Sequence, residues 1–164
     1  MPTSNPLEIL LEHDAWATRQ IIEACARLSP EEFHQRFEMG PGSLHDTVTH
    51  ILGAKQSWGD VLAVREHRAR LEGTERSPAE LLALADKITA DLATTAHAHP
   101  LEEIVTPRWG DKVYTFSRGG VLTHVTTHGM HHRAQCLNML KQLGVSPLPL
   151  SSVLEWMLMV DPAR

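Results

Sequence analysis

At three points a capping residue directly before a proline opens a run of helical periodicity: Asn5-Pro6, Ser29-Pro30 and Ser77-Pro78. Each pair marks a helix start. The cap side chain takes an otherwise orphaned backbone N–H, and proline loses nothing at the first helical position. Ser29 and Glu32 are also spaced as a capping box. A fourth start follows the Gly40-Pro41-Gly42 break, where Ser43 caps the next run. These signals divide the chain into a helix from Asn5-Pro6 to Leu28, a short turn at Ser29, a helix from Leu44 to His67 and a helix from Ser77-Pro78 to Ala98. Helical periodicity returns at Ser117 and lasts to Leu143, where Gly144 supplies a stop. Ser151 to Val160 reads as a last short helix. Between Pro100 and Phe116 the β-forming residues around Gly110-Asp111 read as a loop or short hairpin. Helices of about 20 residues span roughly 30 Å. The expected fold is all-α: one four-helix bundle over residues 1–164, with a hairpin excursion before the fourth helix.

Charge and cysteine usage exclude other classes. Lys+Arg number 15 against Asp+Glu 20, giving a net charge of -5. That balance argues against nucleic-acid binding, which calls for a basic face. The 2 cysteines lie far apart in sequence and make neither a disulfide framework nor a Cys-rich zinc module. No secretory signal precedes the first helix, and no run approaches the roughly 20 apolar residues of a membrane span. A cytoplasmic protein without membrane contact is expected.

The chain carries 11 histidines, and His124, His128, His131 and His132 fall within one helical stretch. At about 100° per residue, with His128 at zero, His132 lies near 40°, among Val121, Met139, Val125, Leu143 and Cys136 at roughly 20–80°. His128 and His132 therefore sit on the inward stripe, with His124 and His131 at its margin. Two imidazoles one turn apart can aim ring nitrogens at one cation, the spacing that helical zinc sites use. The alternative is a pair of core histidines satisfied by backbone or carboxylate partners. A third ligand is available in the second long helix, where His50 borders the stripe of Thr47, Ile51, Ala54, Trp58 and Val61. His13 borders the stripe of the first helix and is a fourth-ligand or supporting candidate. His45 falls on the polar side, and His34, His67, His97 and His99 read as surface residues. Three histidines with an open position suit a catalytic metal ion better than a structural one. Cys136, one turn beyond His132, is a weaker candidate nucleophile, because free cysteine is usually buried.

The run from Leu122 to Gln135, with His124-Val125, His128, His131-His132-Arg133 and Gln135, resembles the signature helix of the DinB/YfiT-like superfamily. His13-Asp14-Ala15-Trp16-Ala17 is similar to that family's opening helix. Ser43-Leu44 to His50-Ile51, with Ala54 and Trp58, is similar to its second. The resemblance implies a four-helix bundle, often dimeric, that binds one divalent metal through His50, His128 and His132. His13, His124 and His131 stand behind them as supporting candidates. Two positions depart from the family pattern: Lys55, where an acidic residue is frequent, and His13, where an aromatic is. The resemblance also implies a metal-dependent enzyme. Relatives include S-transferases and isomerases that use low-molecular-weight thiols such as bacillithiol or mycothiol, and a hydrolase is the neighbouring reading. All-imidazole ligation suits zinc or nickel. The alternative is a non-catalytic, metal-binding stress-response dimer. No catalytic residue beyond the metal site is identifiable, and a small-molecule substrate and a homodimer are the expected partners.

Overall fold

A computed structural model describes residues 4–160. Four long helices form the bundle: α1 (Pro6–Cys25), α3 (Leu44–Leu62), α4 (Pro78–His97) and α5 (Arg118–Gln142). Two short helices, α2 (Pro30–His34) and α6 (Val153–Val160), flank it. The starts follow the sequence signals. Asn5, Ser29, Ser43, Ser77 and Ser117 each accept a backbone N–H from the first turn, and Ser29–Glu32 and Ser77–Glu80 close full capping boxes. The excursion before α5 is two nested antiparallel ribbons. The strands β1 (Ile104–Val105) and β4 (Phe116–Ser117) pair with Val105 opposite Phe116, and β2 (Arg108–Trp109) and β3 (Lys112–Val113) pair with Trp109 opposite Lys112.

α1 and α3 each pack against both α4 and α5, so α1 and α3 are diagonal neighbours. The core divides into two apolar clusters, one at each end. Ile21, Ile22, Leu44, Leu52, Ile88 and Met139 belong to one, and Leu11, Leu62, Leu92, Val121, Leu122 and Val125 to the other. Reading each helix through these clusters gives its direction: α1 and α5 run one way, α3 and α4 the other. Two consecutive parallel helices need a long return, and the segment 63–77 supplies it along the side of the bundle.

That return corrects the expected extent of the second long helix, which ends at Leu62 rather than His67. The stop is a Schellman turn without glycine. The Arg65 N–H donates to the Asp60 carbonyl at 3.1 Å and the Val64 N–H to the Val61 carbonyl at 3.1 Å. Val64 occupies the left-handed position at φ 50°. A β-branched residue there is strained. The fully buried Asp60 carboxylate compensates by gathering Arg65 at 2.7 Å and Arg68 at 2.8 Å. The first helix also ends early, at Cys25, with Ala26–Leu28 continuing as a turn.

Between the two apolar clusters lies a buried ionic layer. Asp14 of α1 meets Lys55 of α3 at 2.5 Å across the diagonal, and Arg133 of α5 donates to its other carboxylate oxygen. All three side chains are almost fully buried. Burial alone would raise the Asp14 pKa, but Lys55 and Arg133 outweigh it and hold the carboxyl below its ordinary range. The sequence reading treats Lys55 only as a departure from a family pattern; here it is one of three charges that lock the helices together. Gly129 makes room for them, since a Cβ at that position would stand 2.5 Å from Asp14 Oδ1 and 2.9 Å from Arg133 Nη1.

Two outcomes follow for stability. Asp14→Asn is expected to cost about 3–5 kcal/mol in urea unfolding, because it leaves two buried cations without their anion. A depressed carboxyl pKa contributes stability that is complete above about pH 4 and lost as the pH falls through the folded value. The acid limb of the wild-type stability profile should therefore flatten in Asp14→Asn. Gly129→Ala should lower stability by about 1–3 kcal/mol through overpacking, although alanine is the better helix former. Thermal unfolding of the variant beside wild type checks the sign.

Candidate metal centre

His50 on α3 and His128 and His132 on α5 converge beside the ionic layer. One ring nitrogen of each lies within 4.8 Å of the others, and no further His, Cys, Asp or Glu among the described residues joins them. His50 Nε2 stands 3.2 Å from His128 Nε2. The ring centroid of His132 is 4.6 Å from that of His50 and 4.5 Å from that of His128. Ligand atoms bound tetrahedrally at roughly 2.0–2.1 Å are about 3.3 Å apart. The closest nitrogen pair thus already has the separation of two ligands to one ion. All three rings are half-buried, facing outward from the core rather than sealed within it.

The protonation of the rings favours metal binding. Burial, then the neighbouring His132, His50, His124 and His131, push the His128 pKa down to about 4. Burial also lowers His132, against a raising contribution from Gln135. At neutral pH both rings are therefore neutral, with a lone pair to offer. Gln135 sets which nitrogen offers it at His132. The His132 Nδ1–H donates to Gln135 Oε1 at 2.8 Å, which leaves Nε2 free as the ligand atom. The Gln135 amide in turn donates to His131 Nε2 at 3.2 Å. A glycine secures this arrangement: Gly40, at φ 50°, approaches so closely that a Cβ would stand 2.2 Å from Gln135 Oε1.

The supporting candidates divide. His131 acts through Gln135. His124 packs between rings, 5.5 Å from His128 and 5.1 Å from Trp58 by centroid. His13 takes another role. It is buried, its Nε2 is 2.8 Å from the Ser151 carbonyl oxygen, and it ties α1 to the segment before α6. His45 is not solvent-facing as its place on the helical wheel suggests. Phe33 and His34 of α2 cover it at 5.6 and 4.6 Å, and the Arg76 N–H donates to its Nε2 at 3.2 Å. An isolated wheel cannot register an element that packs on the polar side.

Sequence reasoning missed Glu72 and Gln135. Glu72 lies on the return segment, 22 positions beyond His50 in the chain. Its Oε1 is 3.7 Å from His50 Nδ1 and 2.9 Å from where a Gly53 Cβ would stand. Periodicity gives no signal for such a residue. Gln135 stands in the signature helix, three residues after His132, and that spacing was available as a clue.

A cavity of about 440 Å³ opens beside His50, with Glu72 and Trp58 in its wall and Trp109 of the hairpin over it. Trp109 meets Trp58 edge to face at 5.4 Å and Tyr114 at 4.7 Å, so the ribbons carry an aromatic cap onto the site. Of the three histidines, His50 lines this cavity, so accessible space adjoins the cluster on the His50 side. A divalent ion held there would keep a position open to a ligand, and the donor set fits such an ion.

Comparison with known proteins agrees with this architecture. The DinB family model matches residues 1–157, and the chain belongs to that family. Among curated proteins, Protein DinB of Bacillus subtilis (strain 168) is 26% identical over 152 residues, covering 85% of this chain and 87% of that protein. Among solved structures, a DinB-like protein from Bacillus subtilis, YjoA, shares the fold with a TM-score of 0.64 at 16% identity, over 87% of this chain and 96% of that one.

If Gln135 orients a ligand, Gln135→Leu should weaken divalent-metal affinity about 10–100-fold while leaving one ion per chain at saturation. His128→Ala should abolish stoichiometric loading, and His13→Ala should leave affinity unchanged. Competition with a chromogenic chelator measures all three.

Proposed function

We propose that the protein is a metal-dependent enzyme that holds zinc or nickel on His50, His128 and His132 and transfers a low-molecular-weight thiol to an electrophile. The observation that carries this reading is the three-histidine cluster, without a fourth protein ligand among the described residues, one of whose members, His50, lines a cavity sized for a small molecule. When bound, the divalent ion supplies Lewis acidity that favours the thiolate form of a thiol at the open position.

The chain's own residues do the rest. Gln135 fixes the His132 ring, and the buried Asp14 layer fixes the helices that carry the ligands. Glu72, a cavity-wall carboxylate beside His50, takes the thiol proton on Oε1. Sulfur then forms its bond to the electrophilic carbon, the leaving group departs with the bonding pair, and Glu72 returns its proton to the leaving group or to solvent. Trp58 and Trp109 exclude water from one side of the cavity. A hydrolase would use the same residues with water as nucleophile.

The test uses tag-free, metal-loaded protein incubated with a panel of thiols and monochlorobimane. Conjugation above the uncatalysed rate is expected, falling at least about 10²-fold in His128→Ala and about 10²–10⁴-fold in Glu72→Gln. Conjugation unchanged by His128→Ala would overturn the metal's role, and conjugation no faster than the uncatalysed rate would leave the non-catalytic metal-binding reading standing.

A homodimer is part of the same proposal. Its support is α6, where Leu154, Leu158, Met159 and Val160 are all exposed. Light scattering should give twice the chain mass for wild type and a monomer for Leu154→Glu/Leu158→Glu.

A further inference from the structure

The cavity beside His50, about 440 Å³, is larger than an ion and a water require, and charges of both signs line it. Glu72 lies next to His50. The return segment contributes two arginines, Arg68 and Arg70, and these differ in what they already hold. The Arg68 guanidinium is held by acidic partners: Nε donates to Asp60 Oδ1 at 2.8 Å, and Nη2 donates to Asp91 Oδ2 at 2.9 Å and to the Gln56 carbonyl at 3.3 Å. Arg70 makes no ion pair or hydrogen bond with any described residue.

The backbone on both sides of Arg70 is nevertheless pinned. Gln56 Nε2 donates to the Ala69 carbonyl at 3.0 Å, and Arg76 Nη1 donates to the Leu71 carbonyl at 2.7 Å. The Leu71 side chain is buried in the core. A guanidinium unpaired among the described residues thus stands on a fixed backbone in the wall of a cavity that the edge-to-face indoles of Trp58 and Trp109 also line. A planar fork with unused donors is the group that recognises a carboxylate bidentately, and the paired indoles favour a flat apolar body beside it.

We propose that the cavity takes an organic anion, with Arg70 reading its carboxylate. On the reading under Proposed function, on which this assignment of polarity rests, the substrate is a thiol that also carries a carboxylate. Its sulfur lies toward the three histidines, its apolar middle against Trp58 and Trp109, and its carboxylate on Arg70. Arg70 is then the residue that sets substrate charge preference.

The experiment uses the full chain loaded with Co(II) and three probes: 4-mercaptophenylacetate, its neutral amide 4-mercaptophenylacetamide, and phenylacetate, which lacks the thiol. Sulfur-to-cobalt absorption reports thiolate at the ion, and tryptophan quenching reports occupancy of the cavity. The acid is expected to bind at least about tenfold tighter than the amide. Arg70→Ala should abolish that preference without changing cobalt affinity, and Arg70→Lys should retain part of it. Equal affinity for acid and amide in wild type, or a preference that survives Arg70→Ala, overturns the proposal. The two readings fail separately. If neither thiol gives the cobalt band while phenylacetate still quenches in an Arg70-dependent way, thiol binding at the metal is wrong and the anion site stands. If the band forms equally with both thiols and phenylacetate does not bind, the thiol reading stands and the anion site is wrong.

Discussion

The contact on which the structure turns is a single carboxylate. Asp14 receives Lys55 from α3 and Arg133 from α5 in a layer from which solvent is excluded. Burying three charges is expensive, and a well-packed apolar layer of the same volume is often at least as stable. What the ions supply here is register. Arg133 follows His132 directly, so the two side chains leave α5 about 100° apart. When Arg133 is held inward on Asp14, His132 is turned toward α3 and its histidine. Lys55 lies five positions beyond His50 and fixes α3 in the same way. Neither α3 nor α5 can rotate or slide by a residue without stranding a buried charge. The three histidines meet because three neighbouring charges do.

A second ionic assembly has a parallel role at the edge of the site. Asp60 is fully buried and holds Arg65 and Arg68, which also reach Asp91 on α4. Together these groups bend the chain out of α3 through a strained valine and lay the return segment along the bundle. Glu72 and Arg70 arrive at the cavity as a consequence. The layout of the site is therefore set by topology: because α3 and α4 run parallel, the chain must pass back over the histidines between them.

These two assemblies explain what was legible in the sequence. Helix starts were readable because Asn5, Ser29, Ser43 and Ser77 act on their own first turns, a local effect; the start at Ser117 was marked by periodicity alone. His50, His128 and His132 were readable because 3.6-residue periodicity places each on an inward stripe, and the structure brings all three together. The end of α3 was not readable, since Val64 carries no stop signal and its conformation is held by Asp60 contacts made several residues away. The burial of His45 depends on α2 folding over it. The parallel order of α3 and α4, and with it Glu72, follows from which apolar clusters the helices share, and helical spacing does not encode that. The tertiary role of Lys55 was hidden for the same reason: a charged residue on an inward stripe can be placed only once its partner on another helix is known.

The fate of the two cysteines bears on the chemistry. Cys25 and Cys136 are both buried in the same apolar cluster. Burial pushes the Cys25 thiol up to about 12, and Cys136 is raised well above the ordinary range by burial and by its proximity to Cys25. A thiol is nucleophilic as its thiolate, so at neutral pH neither cysteine can attack a substrate, although Cys136 is only one turn from His132. The sulfur nucleophile of the proposed transfer therefore has to enter with the substrate. The cavity suits that arrangement, since His50, the Glu72 carboxylate, the Trp58 and Trp109 indoles and the Arg70 guanidinium all line it.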